Sequence, residues 1–376
     1  MSMDGRRLTV LQMLPALESG GVERGTLEVA RGLVREGHRS LVISTGGRMV
    51  SQLEAEGSEH LEWSVSKRSY LLALRHVWRL RDLLRRERVD VLHVRSRHPA
   101  WVAWLAWRGM PPHARPRFVT TAHGLYSVNA YSAVMARGER VIAISETVRD
   151  YLLRNYPRCV QPDRVEVIFR GVDPQLYYPG FRPTDAWRAA WDAEFPHTRQ
   201  RPLLTLPGRL TRLKGHADFL NIIAAVRREI PDVCGVIAGG ADRKRAGYER
   251  ELHTEVARRG LGDAVVFTGH RNDLREILSI STVSYSLTNN PPEAFGRTIV
   301  EALSLGTPVI GYDRAGAGEI LRQLHPQGAV AAGDVGSAME STLHVLRGAP
   351  REIRPNELFT EGRMVAETLS LYHRAA

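Results

Sequence analysis

Lysine is nearly missing from this chain of 376 residues: it occurs only at Lys67, Lys214 and Lys244, beside 49 arginines. Cysteine is scarcer still, with Cys159 and Cys234 alone, which excludes a disulfide framework and makes a reducing compartment the default. No apolar run approaches the roughly 18 residues that span a bilayer; the densest is Trp101 to Trp107. Arg6 and Arg7 ahead of Leu8 to Leu17 loosely imitate a signal peptide. Gln12 and Pro15 interrupt that stretch and no small-residue cleavage site follows, so a first buried strand is expected instead. The first strand lacks Gly-x-Gly-x-x-Gly and no Gly-Lys-Ser/Thr follows anywhere, which excludes a dinucleotide oxidoreductase and a P-loop kinase. Helix-turn-helix, zinc-ligand spacing and aromatic RNA-binding signatures are all lacking. A non-catalytic nucleic-acid binder is therefore the weakest reading, and no nucleic-acid partner is expected. Asp-x-Asp is absent too.

What is present is globular composition, with 43% hydrophobic and 25% charged residues. The length exceeds one compact core and fits two domains. The net charge of +11 is uneven, because residues 1–180 carry +9 of it. A basic half beside a near-neutral half points to an anionic partner for the first domain, such as a phospholipid surface, a phosphorylated glycan or a nucleic acid. A cytoplasmic protein is expected, with peripheral association at the cytoplasmic face of an inner membrane left open.

Short apolar runs alternate with helical patterns, which predicts an α/β fold built on mainly parallel sheets. Strands are expected at 8–14, 40–44, 89–94, 118–121, 140–144 and 165–168, then at 203–206, 233–237, 265–267, 283–286, 308–312 and 329–331. Helices are expected at 22–36, 71–87, 101–108 and 145–155, then at 215–229, 248–259, 273–279, 297–304 and 317–324. Each half thus reads as a Rossmann-like layer sandwich, residues 1–178 and 179–355, joined at the proline-rich stretch Pro174 to Pro183. A closing helix, part of a tail at 356–376, is expected to return to the first domain. Two such domains imply a cleft facing the carboxyl edges of their strands, where open α/β sheets bind ligands.

The strongest chemical signal follows the strand at 203–206: Pro207-Gly208-Arg209-Leu210-Thr211-Arg212-Leu213-Lys214-Gly215. A guanidinium at a strand's carboxyl end and an ammonium at the next helix start suit a diphosphate, Arg as a planar fork and Lys as a point charge. The second signal, Glu293-Ala294-Phe295-Gly296-Arg297-Thr298-Ile299-Val300-Glu301, follows the strand at 283–286. Gly296 allows close backbone approach, and the free N–H groups of a helix starting near Arg297 form an anion site. From inside that helix the Glu301 carboxylate suits the two hydroxyls of a ribose.

Glu293 to Glu301 and the Arg209/Lys214 pair resemble the EX7E motif and the Arg/Lys pair of the GT-B glycosyltransferases. The resemblance is to the retaining family-4 group and continues, in order, through Gly20-Gly21-Val22-Glu23, Thr121-Ala122-His123-Gly124, Arg170-Gly171-Val172-Asp173, Ala238-Gly239-Gly240, Phe267-Thr268-Gly269-His270 and Gly306-Thr307-Pro308-Val309-Ile310. It implies a nucleotide-sugar donor, a UDP-sugar ahead of others, held by the second domain, and an acceptor on the first. His123, Arg209, Lys214 and Glu293 are then the catalytic residues. Gly20, Gly21, Gly208, Arg271, Asn272, Phe295, Gly296, Arg297, Thr298 and Glu301 join the latter three in binding the donor. No cofactor and no metal are expected, given the missing Asp-x-Asp.

Residues 90–101 and 124–132 resemble segments of bacterial lipopolysaccharide-core glycosyltransferases. This makes a lipid-linked or lipopolysaccharide-core glycan the expected acceptor, with Arg95, Arg97, Tyr126 and Tyr131 as its contacts. Ordinary solvated arginines remain the other reading of Arg95 and Arg97. The helix at 71–88, with Arg75, Arg79, Arg81, Arg85, Arg86 and Arg88, fits either an anionic membrane surface or a packed helix with a basic outer face. Trp101, Trp104 and Trp107, at helical spacing, read as core. Besides the transferase, a sugar-nucleotide epimerase on the same two-domain fold stays open.

Overall fold

A computed structural model of the chain describes residues 6–18, 20–64, 70–241 and 246–376; the side chains of residues 70–73 and 246 lie outside this description. The chain forms two compact units, residues 1–170 with 361–376 and residues 171–360. The first crossing thus falls at 170/171, ahead of the proline-rich stretch expected to join the domains.

The first unit runs β1 (Thr9–Met13), α1 (Gly21–Arg35), β2 (Arg39–Ser44), α2 (Val50–Ala55), β3 (Glu59–Glu62), α3 (Tyr70–Arg86), β4 (Val91–Val94), α4 (Arg97–Arg108), β5 (Arg117–Ala122), β6 (Arg140–Ala143), α5 (Glu146–Asn155) and β7 (Val165–Val167). Its sheet is parallel, in the order β3-β2-β1-β4-β5-β6-β7. The central strands are apolar on both faces because helices cover both, as parallel sheets require. Leu11, Leu92 and Phe118 pack on one side with Leu80, Leu84 and Ala103 of α3 and α4. Val10, Val91 and Ile142 pack on the other with Val29 and Leu33 of α1.

The second unit runs α6 (Asp185–Glu194), β8 (Leu203–Pro207), α7 (His216–Glu229), β9 (Cys234–Ala238), α8 (Ala246–Arg258), β10 (Val265–Phe267), α9 (Leu274–Ser279), β11 (Val283–Ser286), α10 (Arg297–Ser304), β12 (Val309–Tyr312), α11 (Ala315–Leu324), β13 (Ala329–Val330) and α12 (Val335–Leu346). Its parallel sheet has the order β10-β9-β8-β11-β12-β13. The last helix, α13 (Glu361–Ala375), belongs to the first unit, where Met364, Leu369, Leu371 and Tyr372 enter the same core as α1.

In each sheet the strand order reverses at one place, between β1 and β4 and between β8 and β11. Chains leaving such a pair of strands diverge to opposite faces and open a crevice at the carboxyl edge. Those two places position the chemistry.

Several elements depart from the sequence pattern. β3 reads Glu-His-Leu-Glu and carries no apolar run, since it is an edge strand needing little burial. α6 was not expected; the Thr184 hydroxyl caps it by accepting from the Trp187 amide, and Trp191 anchors it. α12 was also unforeseen and is capped by Asp334, which accepts from the Ser337 amide. α4 begins at Arg97 rather than Trp101, so Arg97 stands at a helix start. Trp101, Trp104 and Trp107 pack against the first unit's core as expected.

Candidate functional site

In the second unit the β8–α7 and β11–α10 loops flank the strand-order reversal. Gly215 locks them together: its φ is +74° and an added Cβ would lie 2.3 Å from the Leu287 carbonyl oxygen, so only glycine lets the two loops meet there. Immediately before it, the Lys214 Nζ lies 2.5 Å from the Glu293 Oε2. Both side chains keep about a quarter of their surface exposed, 29% and 26%. Glu293 is fixed from two further sides, by the Thr288 hydroxyl at 3.3 Å and, through its carbonyl, by the Gly316 amide at 3.0 Å. The Lys214 stem packs beside Gly208. Arg209 is exposed, and its guanidinium makes no hydrogen bond or ion pair with a described residue.

Gly296, at φ +96°, is the N-cap of α10 and supplies no side-chain cap, leaving the first amides of that helix to other partners. Phe295 is buried with its ring edge-on to Phe359. Arg297 and Thr298 open α10. One turn on, Glu301 is only 2% exposed, and the Arg297 Nε lies 3.3 Å from its Oε1. Lys214, Glu293 and Gly296 therefore meet at one strand-order reversal, with Arg209 on the same loop as Lys214 and Glu301 one turn into α10. Cations beside a helix start suit an anionic ligand.

Arg271 is placed otherwise than expected. Its fork is held bidentately by Asp273 at 2.8 and 2.7 Å and reaches Glu194 of α6 at 2.9 Å, so its guanidinium braces α6 against the loop rather than standing free for a donor. Asn272 beside it is exposed.

In the first unit, His123 follows β5. Its amide donates to the Tyr126 hydroxyl oxygen at 3.0 Å, while its Nε2 is buried without a hydrogen-bond partner among the described residues. Burial first, and then the nearby Arg170 and Arg95 guanidiniums, hold the imidazole well below its usual pKa. It is neutral near pH 7. Gly20 caps α1 with φ +146°, and Glu23 folds back towards it: a Cβ on Gly20 would meet the Glu23 Oε2 at 2.8 Å. A carboxylate thus stands over the helix start where Gly20 and Gly21 were expected to bind the donor.

Residues 19–176 match the family model Glycosyltransferase Family 4, and residues 188–351 match Glycosyl transferases group 1. The solved glycosyltransferase from Rickettsia africae ESF-5 superposes with a TM-score of 0.85 at 26% identity, covering 99% of each chain. This chain belongs to the GT-B glycosyltransferases. HepE of Anabaena, solved with UDP and glucose, shares that GT-B fold at a TM-score of 0.79 and 20% identity, covering 97% of this chain and all of that one. Among curated proteins, the alpha-maltose-1-phosphate synthase of Mycolicibacterium smegmatis is 32% identical over 55% of this chain and 52% of its own. The lipopolysaccharide core biosynthesis mannosyltransferase LpsB of Rhizobium meliloti is 26% identical over 41% and 42%. The chain spans about half the length of the first curated relatives it matches.

On this GT-B frame the residues expected to meet an acceptor divide. Arg97 lies over the rings of Tyr126 and Tyr131, 5.1 and 5.5 Å from their centroids, and donates to the Ser132 hydroxyl at 3.2 Å. Arg95 does not join them. It is 1% exposed, and its Nε donates to the Gln12 Oε1 at 2.9 Å. The expectation that Arg95 contacts the acceptor, or is an ordinary solvated arginine, is corrected: it is part of the interior beneath the reversal between β1 and β4. Sequence reasoning missed Gln12, His93 and Tyr372, which complete that interior. The only available signal was polar residues inside otherwise apolar segments, such as His93 within Val91–Val94.

Proposed function

We propose that this protein is a retaining, metal-independent glycosyltransferase that moves a hexosyl group from a UDP-sugar to a bacterial envelope glycan, with lipopolysaccharide core as the acceptor class. The observation that carries the reading is the meeting of Lys214 with Glu293 at the reversal between β8 and β11, with the exposed Arg209 on the same loop as Lys214. Transfer breaks the bond from the anomeric carbon to the diphosphate oxygen and forms one to an acceptor hydroxyl oxygen. The acceptor proton leaves with the diphosphate, whose oxygen serves as base in the same-face attack expected of the retaining group.

Negative charge accumulates on the leaving diphosphate, so cations fixed there lower the barrier. Losing one such group typically costs about 2.7–4 kcal/mol. Lys214 and Arg209 fill this role without a metal ion. Glu293 holds the ammonium in place until the diphosphate arrives, and Glu301 takes the ribose hydroxyls, exchanging part of its contact with Arg297. The neutral His123 contributes a hydrogen bond to the donor sugar rather than a charge.

The acceptor side rests on the Arg97, Tyr126 and Tyr131 cluster and on the likeness to LpsB. No helix among the described residues is long and apolar enough to cross a membrane. On α3, Leu74 and Trp78 are 57% and 68% exposed amid exposed Arg75, Arg79, Arg85 and Arg86, which supports peripheral contact with an anionic inner-membrane surface. Arg81 is excepted, since it donates to the Leu105 and Ala106 carbonyls of α4.

The test is incubation with a panel of nucleotide sugars and truncated lipopolysaccharide acceptors, read by mass. A hexose-sized increment on an acceptor supports the proposal. An isomerised sugar nucleotide with no glycoside would make the protein an epimerase instead.

A further inference from the structure

The polar interior of the first unit is arranged as a chain. Gln12, at the end of β1, donates from its Nε2 to the Thr26 carbonyl of α1 at 3.2 Å, and its oxygen accepts from Arg95. That fixes the amide's orientation and with it the guanidinium. An added Cβ on Gly25 of α1 would find both the Arg95 and Arg170 terminal nitrogens within 4 Å, so two guanidiniums converge there, with the Glu28 carboxylate at 4.0 Å. The Arg95 charge acts on the Tyr372 hydroxyl of α13, while both Arg95 terminal nitrogens are buried without a hydrogen-bond partner among the described residues. The same oxygen lies 2.5 Å from the His93 Nδ1, and the His93 Nε2 lies 2.7 Å from the Thr121 hydroxyl of β5. Thr121 precedes His123 by two residues.

Donor and acceptor inventory gives this chain a direction. The positive charges of Arg95 and Arg170 near the phenolic oxygen favour its lone pairs facing them and its proton pointing away, to the His93 Nδ1. An imidazole buried beside two cations stays neutral, as the depressed pKa of His93 agrees. With Nδ1 accepting, its one proton sits on Nε2 and is donated to Thr121. Buried networks in which every member is oriented by the next are stiff, and disturbing one end is felt at the other.

We propose that Tyr372 is a positioning residue for His123: a one-way hydrogen-bond chain from Tyr372 through His93 to Thr121 fixes the end of β5 from which His123 projects. The last helix of the protein is thereby tied to a group expected at the donor sugar. The inference rests on the proposed role of His123, and its test separates the two.

The full-length chain labelled with 15N-histidine is read by long-range 1H–15N correlation, with the His93 signals assigned by their loss in His93→Gln. The expected spectrum shows His93 as the Nε2–H tautomer, and Tyr372→Phe shifts both the His93 and His123 ring nitrogens. A His93 proton on Nδ1, or a His123 signal unmoved by Tyr372→Phe, overturns the proposal without any substrate. In the transfer assay, Tyr372→Phe and Thr121→Val should each lower kcat threefold or more with donor KM within twofold, and the double variant should fall no further than the worse single. Smaller losses, or losses that multiply, contradict it. Should the wild type turn over no nucleotide sugar, the functional reading fails while the tautomer still decides the chain.

Discussion

The two parallel sheets reverse their strand order in the same way, yet they treat charge at that place oppositely. Between β8 and β11 the second unit leaves Arg209 exposed and lets Lys214 and Glu293 keep about a quarter of their surface in contact with solvent. Between β1 and β4 the first unit buries Arg95 on Gln12 and packs His93 and Tyr372 behind it. Charge left near water is available to a ligand. Charge withdrawn from water shapes what surrounds it: Arg95 holds Gln12 through its Nε, while its terminal nitrogens make no hydrogen bond among the described residues. A common topology therefore supplies a binding place in one unit and a brace in the other.

That contrast is broken most readily at Arg95. Arg95→Ala should destabilise the first unit by about 3–5 kcal/mol, the usual effect of removing one member of a buried group of opposite charges, here with Glu28, as denaturant unfolding would register. A loss below about 1 kcal/mol would mean that Arg95 is not a brace. Next comes Lys214→Ala, expected to lower transfer by roughly 10²–10³-fold, about 2.7–4 kcal/mol of barrier, while the melting temperature stays within a few degrees. Full activity in this variant would remove the diphosphate assignment.

Acid sharpens the comparison further. In the first unit burial depresses the pKa of His38, His60, His76, His93 and His123, against His216 and His325 in the second, with His216 lowered to about 4. The folded values lie below the ordinary 6.5, so the unfolded chain takes up protons first. Stability is complete above about pH 6.5 and is lost as pH falls, by about 1.4 kcal/mol per unit for each histidine while it remains neutral in the fold. For His216 that loss runs down to about pH 4. Hydrogen exchange between pH 7 and 5 should show the first unit losing protection ahead of the second; the reverse order would contradict this assignment of buried histidines. The smallest effect is that of Arg209→Ala on stability, within about 0.5 kcal/mol because the side chain is exposed.

The sequence carried the second unit's chemistry well because that chemistry is local. Arg209 and Lys214 lie within one loop and Glu293 to Glu301 within another, and the parallel alternation of strand and helix puts both loops on one edge. The first unit was legible in its strands and helices but not in its polar interior. Nothing near Arg95 in sequence announces that Gln12, 83 residues earlier, will accept from it. Nor does anything near His93 announce Tyr372, 279 residues later. Arg271 differs, since its bidentate partner Asp273 lies only two residues away and just the Glu194 contact comes from afar, on α6, a helix marked only by a Thr-Asp start and two tryptophans a turn apart.

The central claim is that Lys214 and its neighbours in the second unit hold a nucleoside diphosphate. Calorimetric titration of UDP into the wild type and into Lys214→Ala tests it most directly. Saturable binding by the wild type, weakened at least tenfold in the variant, is the predicted result. Equal affinity in the two proteins, or no heat from UDP or any other nucleoside diphosphate, would contradict it.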